Sequence, residues 1–221
     1  MVEIVATRLD LAAEEIGALH ALLSGAEQQR ASRIAAGRAR DRFIVARARL
    51  RQLLGSRLGV RPESIGLTTT PNGKPALRPD FSDSELRFNL AHCDDVAAYA
   101  LDNGREVGID IEAVRALDDA DRLAGRFFSE AEQAAYRGLA PAERPLGFFN
   151  CWTRKEAFIK AQGDGFGYPL DRFDVSLAPN EAARLLRVGD VSGDACGWRV
   201  MSFSPAPGFV GALVTETTAD D

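Results

Sequence analysis

Ser129-Glu-Ala-Glu-Gln133 repeats a stretch that occurs 105 positions earlier, Ser24-Gly-Ala-Glu-Gln28. Both copies place Glu three residues after Ser, which is the pattern of a capping box at the start of a helix. In that arrangement each side chain accepts a hydrogen bond from the backbone of the other residue. The repeat therefore predicts two helix starts, at equivalent places in two related halves of the chain.

A longer pair of segments follows each of these starts. Residues 42–55 and residues 150–163 lie 108 positions apart, and each segment ends in glycine. Glycine adopts the left-handed conformation that commonly closes a helix. The pair therefore predicts two helices, one closed at Gly55 and the other at Gly163.

The strands predicted after these helices also come in pairs. Each is a short run that is rich in apolar or β-branched residues and is bounded by turn residues. The pairs are residues 64–72 with 172–180, 86–90 with 198–202, and 96–101 with 209–214. Helices followed by runs of antiparallel strands predict an α+β fold, in which the helices of each half pack on one face of a mainly antiparallel sheet.

The turn Asp102-Asn-Gly104 separates the two halves, and no linker rich in Pro, Gly or Ser accompanies it. We therefore predict one compact body with an N-terminal half, 1–104, and a C-terminal half, 105–221, related by a pseudo-twofold axis. The cleft between them is the expected active site. Chance similarity between two α+β halves is the alternative, but three segments in register at nearly one offset favour duplication.

The first candidate site is Val107-Gly-Ile-Asp-Ile-Glu112, in which apolar and acidic residues alternate with the period of a strand. Ile109 and Ile111 are expected to face a core, and Asp110 and Glu112 the opposite side. Two neighbouring carboxylates repel each other, and a hard divalent cation offsets that repulsion. The solvated face of an edge strand is the alternative interpretation.

The second candidate is the helix expected at residues 152–160, Trp-Thr-Arg-Lys-Glu-Ala-Phe-Ile-Lys. Trp152, Glu156 and Lys160 recur every four residues and share one face. Glu156 and Lys160 alone would be an ordinary surface pair. Together with the glycine-rich stretch 161–167 and the acidic strand, they provide three carboxylates and an ammonium group for Mg²⁺-assisted phosphate chemistry.

Composition narrows the class of protein. The chain has 221 residues, of which 46% are hydrophobic, and a net charge of −5. The negative charge argues against general binding of nucleic acid, and no run approaches the roughly 20 apolar residues of a membrane span. No secretory signal is recognisable, and the three cysteines fit neither a disulfide framework nor a zinc site. These features predict a cytoplasmic protein with reduced thiols and no membrane association.

Charge is divided unevenly between the halves. Residues 1–104 contain 14 Lys+Arg and 13 Asp+Glu, whereas residues 105–221 contain 13 and 19. Eight arginines lie close together: Arg30, Arg33, Arg38, Arg40, Arg42, Arg47, Arg49 and Arg51. A solvated helix face explains most of them, but the division also suits an anionic ligand with a metal between the two halves.

Five motifs resemble those of the surfactin-type (Sfp-like) 4′-phosphopantetheinyl transferases, in order and in spacing. They are Gly-Ile-Asp-Ile-Glu at 108–112, Trp-Thr-Arg-Lys-Glu-Ala-Phe-Ile-Lys at 152–160, Gly-Lys-Pro at 73–75, Phe-Asn-Leu-Ala-His at 88–92 and Arg-Phe-Phe at 126–128. Without the resemblance, 71–75 would be a plain hairpin turn and His92 a structural histidine. The resemblance implies a pseudo-twofold, two-part fold, in agreement with the repeat.

The resemblance implies a reaction in which the 4′-phosphopantetheine arm of coenzyme A is moved to a carrier-protein serine and 3′,5′-ADP is released. Asp110, Glu112 and Glu156 would bind Mg²⁺, for which Mn²⁺ could substitute, on the pyrophosphate. Glu156 or a metal-bound water would accept the serine proton, and Lys155 and Lys160 would hold the phosphates. The indole of Trp152 is expected to anchor its helix.

In the first half, the resemblance implies that Lys74 and Pro75 contact the nucleotide and that His92 contacts its 3′-phosphate. Arg42, and less securely Arg30, would bind phosphate through their guanidinium groups. The family commonly has Ser on both sides of the His, where this chain has Ala91 and Cys93, and a basic residue in place of Glu27. We therefore expect full chemistry, but altered affinity for coenzyme A.

The expected partners are coenzyme A and acyl or peptidyl carrier proteins, or carrier domains of synthases. The chain length resembles the monomeric branch of the family. Two other functions use the same residues. A metal-dependent phosphohydrolase would act without a protein acceptor, and a non-catalytic binding module would hold coenzyme A or a nucleotide without turnover.

Overall fold

A computed structural model gives the structure of the protein and describes residues 1–81, 83–163, 168–189, 191–193 and 197–217. The first half contains β1 (Glu3–Arg8), α1 (Ala13–His20), α2 (Gly25–Arg33), α3 (Arg38–Leu58), β2 (Leu67–Thr69), β3 (Pro75–Leu77), β4 (Leu86–Cys93) and β5 (Val96–Asn103). The second half contains β6 (Val107–Ala113), α4 (Ala120–Phe127), α5 (Glu130–Gly138), α6 (Arg144–Gln162), β7 (Phe173–Val175), β8 (Leu185–Val188), β9 (Val191–Ser192), β10 (Trp198–Phe203) and β11 (Phe209–Glu216).

The two halves have the same topology. One three-stranded sheet has the order β1-β5-β4 and the other the order β6-β11-β10, and all pairings within them are antiparallel. In each half the first strand is followed by three helices, and the last two long strands complete the sheet. The predicted α+β fold with two pseudo-twofold-related halves is confirmed.

Successive side chains of the central strands point to opposite faces of each sheet and pack in different layers of the molecule. Tyr99 and Leu101 of β5 pack in the core of the first-half helices, whereas Ala98 and Ala100 lie in the core between the two sheets. In the second half Val214 packs in the core of α6 and its neighbour Leu213 lies between the sheets. The helices of each half therefore cover the outer face of its sheet, and the inner faces of the sheets pack together.

Local sequence patterns predicted some element boundaries correctly and others wrongly. The capping boxes at Ser24 and Ser129 are both formed, and Gly163 caps α6 with φ of 76°. The prediction that Gly55 closes α3 is wrong, because the helix continues to Leu58 and Gly59 caps it with φ of 67°. Close packing explains the glycine at position 55 instead, because a Cβ there would lie 2.8 Å from the carbonyl oxygen of Val60.

The strands predicted at 64–72 and 172–180 are shorter than expected. Pro62 begins a single 3₁₀ turn that ends at Ser64, so the first strand is confined to β2. The second is confined to β7. Part of the glycine-rich stretch, 164–167, and Cys196 lie outside the described residues.

Cys93 and Cys151 are free thiols. No helix in the described part of the chain has the length and apolar character needed to cross a lipid bilayer.

Candidate active site

Helix α6 lies against β6 at unusually short range because residue 108 is glycine. A Cβ at Gly108 would fall 2.0 Å from the carbonyl oxygen of Ala157 and 2.3 Å from the backbone nitrogen of Ala161. Side chains of a strand alternate, so Asp110 and Glu112 share the face of Gly108 and point towards the helix. The close packing therefore brings the acidic strand next to Glu156 and Lys160.

Two carboxylates at this junction are buried and incompletely paired. Asp110 is 7% exposed and Glu156 is 8% exposed. The Lys160 ammonium donates to Oδ1 of Asp110 at 2.6 Å, but Oδ2 of Asp110 and Oε1 of Glu156 have no hydrogen-bond partner. Buried polar groups without partners are costly, so these two oxygens mark a place that suits a cation.

The electrostatics of the two carboxylates agree with this interpretation. Burial raises the pKa of Asp110 to about 6, against the attraction of Lys160, and the charges of Glu156 and Glu112 raise it further. Burial also raises the pKa of Glu156, with a further contribution from Glu112 and opposition from Lys160. The three predicted metal ligands thus lie within electrostatic reach of one another.

Glu112 lies at the edge of this cluster and is only partly buried. Its Oε2 accepts a hydrogen bond from the Cys93 thiol, at 3.3 Å, and lies 3.9 Å from Nη1 of Arg115. Within the described ranges, no three Asp, Glu, His or Cys side chains converge as in a closed metal centre. Lys160 holds one oxygen of Asp110, so a metal ion would compete with this contact. The donor set of hard carboxylate oxygens, two of them unpaired, fits Mg²⁺ or Mn²⁺.

Three cations, two from the first half and one from the second, lie near enough to His92 to affect its pKa. Desolvation lowers the pKa of His92, although the side chain keeps an exposed surface, and the charges of Lys160, Arg42 and Arg47 lower it further. Nε of Arg42 donates to Oδ1 of Asp95 at 2.8 Å. The structure thus brings the predicted phosphate ligands His92, Arg42 and Lys160 together in one electropositive region.

Arg47 belongs to this region, although sequence reasoning did not single it out. Burial lowers the pKa of Arg47, and the charges of Arg30 and Arg51 lower it further, against the attraction of Glu27. Arg30 and Arg47 both lie over the ring of Phe43, at 5.2 and 5.9 Å from its centroid. The aromatic residue between basic residues on α3 is the signal that could have identified Arg47.

Glu27, where a basic residue was expected, has a structural role. Its carboxylate closes the capping box with Ser24 and accepts a hydrogen bond from Nε of the buried Arg51 at 2.6 Å. The departure at this position therefore stabilises the packing of α2 against α3.

The turn between β2 and β3 forms a wall of the cleft. Lys74 and Pro75 line a cavity of about 180 Å³, together with Asn89 on β4 and Glu156 and Lys160 on α6. The Lys74 ammonium, however, is engaged by two protein groups: it lies 2.8 Å from Oε2 of Glu106 and 3.2 Å from the carbonyl oxygen of Ala161. Lys74 therefore links the halves, and its contact with a nucleotide stays a prediction.

The position of Lys155 contradicts its predicted role in holding phosphate. Lys155 is 0% exposed, and its ammonium lies 2.7 Å from Oε2 of Glu132. It also donates to the carbonyl oxygens of Leu170 and Phe173, at 2.6 and 2.7 Å. All three ammonium protons have partners inside the second half, so Lys155 faces away from the cleft and anchors α6.

The indole of Trp152 anchors the same helix, as predicted. It packs edge-on against Phe127, with ring centroids 5.5 Å apart, and stacks on Phe148 at 6.3 Å. These aromatic contacts hold the part of α6 that lies one turn before Glu156.

Two models of known families match the chain. Residues 12–103 match the 4′-phosphopantetheinyl transferase N-terminal family, and residues 106–200 match the 4′-phosphopantetheinyl transferase superfamily. The 4′-phosphopantetheinyl transferase HetI of Nostoc sp. is 36% identical over 205 residues, covering 93% of this chain and 83% of that protein. The 4′-phosphopantetheinyl transferase psf-1 of Bacillus pumilus is 35% identical over 183 residues, covering 80% and 72%.

The chain belongs to the 4′-phosphopantetheinyl transferase superfamily and is an enzyme of that family. The solved holo-[acyl-carrier-protein] synthase of Thermotoga maritima superposes on only 51% of the chain and 63% of that structure, with a TM-score of 0.39 and 25% identity. The assignment therefore rests on the sequence relatives and the family models.

Replacement of Gly108 by Ala tests the packing of α6 on β6. The added methyl group must push the helix away from the strand, which we expect to destabilise the fold by about 1–3 kcal/mol. Because displaced catalytic groups react poorly, transferase activity should fall about 100-fold. Gly17→Ala is the matched control, because a Cβ at Gly17 meets nothing within 4 Å. Equal activity of the two variants would contradict the packing argument.

A charge-removal series tests the position of Lys155. Lys155→Met should destabilise the protein by about 3–5 kcal/mol in urea denaturation, because it leaves the buried charge of Glu132 without its cation. The double variant Lys155→Met/Glu132→Gln should recover part of this loss and keep the wild-type KM for coenzyme A. Lys160→Met, on the same helix but in the cleft, should lose activity and cost less stability than Lys155→Met, because the Lys160 side chain is 31% exposed and Asp110, with a raised pKa, can take up a proton. A raised KM for coenzyme A in the double variant would show that Lys155 contacts substrate.

Proposed function

We propose that the protein transfers the 4′-phosphopantetheine arm of coenzyme A to a serine of an apo carrier protein, with Mg²⁺, and releases 3′,5′-ADP. The observation that carries the proposal is the pair of buried, unpaired oxygens, Oδ2 of Asp110 and Oε1 of Glu156. A divalent cation offsets the cost of burying them. Their position beside Lys160 and a cleft between the halves suits a pyrophosphate ligand.

The second half supplies the acidic groups of the proposed reaction. Asp110, Glu112 and Glu156 would hold Mg²⁺ or Mn²⁺, which when bound neutralises charge that develops on the pyrophosphate. Glu156 accepts the proton of the serine hydroxyl as the bond from serine oxygen to phosphorus forms and the bond to 3′,5′-ADP breaks.

The first half supplies most of the cations, and Lys160 of the second half adds another. We assign the 3′-phosphate of coenzyme A to the electropositive region around His92, Arg42 and Arg47, with Arg30 at its edge. The turn with Lys74 and Pro75 lines the cavity assigned to the nucleotide. Lys160 would exchange its contact with Asp110 for phosphate oxygens. These assignments place nucleotide binding in residues 1–104 and the reacting carboxylates in residues 105–221.

The proposed partners follow from the family and from the cleft between the halves. One chain supplies both walls of the cleft, which supports a monomeric enzyme. The acceptor is an acyl or peptidyl carrier protein, or the carrier domain of a synthase.

Intact-protein mass spectrometry tests the proposed function. An apo carrier protein is incubated with coenzyme A, Mg²⁺ and the enzyme, with and without EDTA. We expect the carrier to gain one phosphopantetheine arm, and EDTA to prevent the gain. Cleavage of coenzyme A without a carrier, as by a hydrolase, would contradict the proposal, and so would binding without turnover across several carriers.

Paired substitutions separate the proposed roles of the two halves. Asp110→Asn keeps the shape but removes the charge, so turnover should fall by about 100–1000-fold with the carrier and coenzyme A at saturation. Lys74→Ala should instead raise the KM for coenzyme A, by about tenfold, with a smaller change in kcat. Steady-state kinetics measures both values. Small and similar effects of the two substitutions would refute the division of roles.

The Mg²⁺ requirement should depend on pH. Because burial raises the pKa of Asp110 to about 6, protons compete with the cation for this carboxylate below that pH. The apparent Mg²⁺ activation constant should therefore rise as the pH falls through about 6 and stay level above it. Mg²⁺ titrations of the transfer rate on both sides of this value measure the effect. A constant that does not change with pH would count against Asp110 as a ligand.

A further inference from the structure

Strands β4 and β6 come from different halves and lie side by side. The Asn89 side chain of β4 accepts a hydrogen bond from the backbone N–H of Ile109, at 3.0 Å. Further along both strands, the Cys93 thiol donates to Oε2 of Glu112, at 3.3 Å. The second contact thus joins the end of β4 to a carboxylate that we assign to the metal.

Cys93 and its neighbour His92 face different surroundings. Ala91 and Cys93 pack in the core between the two sheets. Strand alternation directs His92 to the other side, where Arg42 and Arg47 lie. The side-chain hydrogen bond of Cys93 is made to Glu112 of the acidic cluster, although the family resemblance led us to expect an effect on coenzyme A affinity here.

We infer that Cys93 is a positioning residue for Glu112: its S–H group holds Oε2, which leaves Oε1 available to the cation. The inference rests on the proposed function. Among the described residues, the cation paired with this carboxylate is Arg115, whose side chain is 54% exposed and lies 3.9 Å away. Glu112 is partly exposed and has several rotatable bonds. Without the thiol, the metal ion would have to fix this side chain on binding, at a cost in conformational entropy.

Groups that hold a metal ligand in place affect metal affinity even though they do not touch the metal. Loss of such a contact typically weakens metal binding by about tenfold or more. A thiol is a weak donor, so the lower end of that range is expected. Serine can make the same contact, whereas alanine and valine cannot.

The experiment compares Cys93→Ser, Cys93→Ala and Cys93→Val with the wild-type protein. The Mn²⁺ dissociation constant is measured from the EPR signal of free Mn²⁺, with coenzyme A present and the carrier absent. The Mg²⁺ activation constant and the KM for coenzyme A are measured in the transfer assay. Cys93→Ala and Cys93→Val should raise the Mn²⁺ dissociation constant and the Mg²⁺ activation constant about tenfold, whereas Cys93→Ser should keep both within about threefold of wild type. In all three variants the KM for coenzyme A should change by less than about twofold.

Other patterns would overturn the inference. If Val preserves metal affinity and Ser does not, Cys93 acts by filling space. If the KM for coenzyme A rises and the metal constants do not, Cys93 contacts substrate. A wild-type protein that binds no Mn²⁺ would overturn the inference together with the metal assignment, whereas one that binds Mn²⁺ but modifies no carrier would overturn only the proposed function.

Discussion

Helix α6 rests on strand β6 at Gly108, where any side chain would collide with the helix backbone. This contact sets the distance between the strand that carries Asp110 and Glu112 and the helix that carries Glu156 and Lys160. Away from Gly108, the aromatic contacts of Trp152 and the buried pair Lys155–Glu132 attach α6 to the rest of the second half. A helix fixed by several contacts cannot turn its acidic residues away, so two carboxylates stay buried with unpaired oxygens.

The cleft is completed by contacts between the halves. The Lys74 ammonium donates a hydrogen bond to the carbonyl oxygen of Ala161 at 3.2 Å, and the Asn72 side-chain amide donates one to the carbonyl oxygen of Gly163 at 3.0 Å. Cations and amide donors are favourable there because carbonyl groups at the end of a helix lack partners and carry partial negative charge. The turn between β2 and β3 thus fixes the end of α6, just beyond Lys160, and connects the nucleotide side to the acidic side.

Local patterns in the sequence correctly predicted the features that depend only on interactions between residues close together in the chain. The capping boxes at Ser24 and Ser129 need only residues three positions apart, and the alternation around Asp110 needs only one strand. The repeat predicted the shared topology because both halves follow the same order of elements. By contrast, Gly55 was predicted to end a helix. The structure shows that a glycine is needed there because Val60 packs against the helix backbone at this position. Such a contact depends on how the chain turns after the helix.

Long-range partners explain the remaining differences. Lys155 precedes Glu156 and belongs to the same motif, but its partner Glu132 lies 23 positions earlier, in another helix. Nothing in residues 152–160 indicates that pairing. Likewise, Arg47 was one of eight arginines in a single stretch, and its place near His92 follows from the packing of α3 in the core of the first half. The unpaired oxygens of Asp110 and Glu156 could not be read from sequence, because pairing is a property of the assembled site.

The most direct test of this account is a crystal structure with Mn²⁺ and coenzyme A, in which anomalous scattering locates the metal. The account predicts an anomalous peak within bonding distance of Oδ2 of Asp110 and Oε1 of Glu156, with Lys160 moved from Asp110 to the pyrophosphate. A peak remote from these oxygens, or a coenzyme A pyrophosphate bound elsewhere while Lys160 keeps its contact with Asp110, would contradict it.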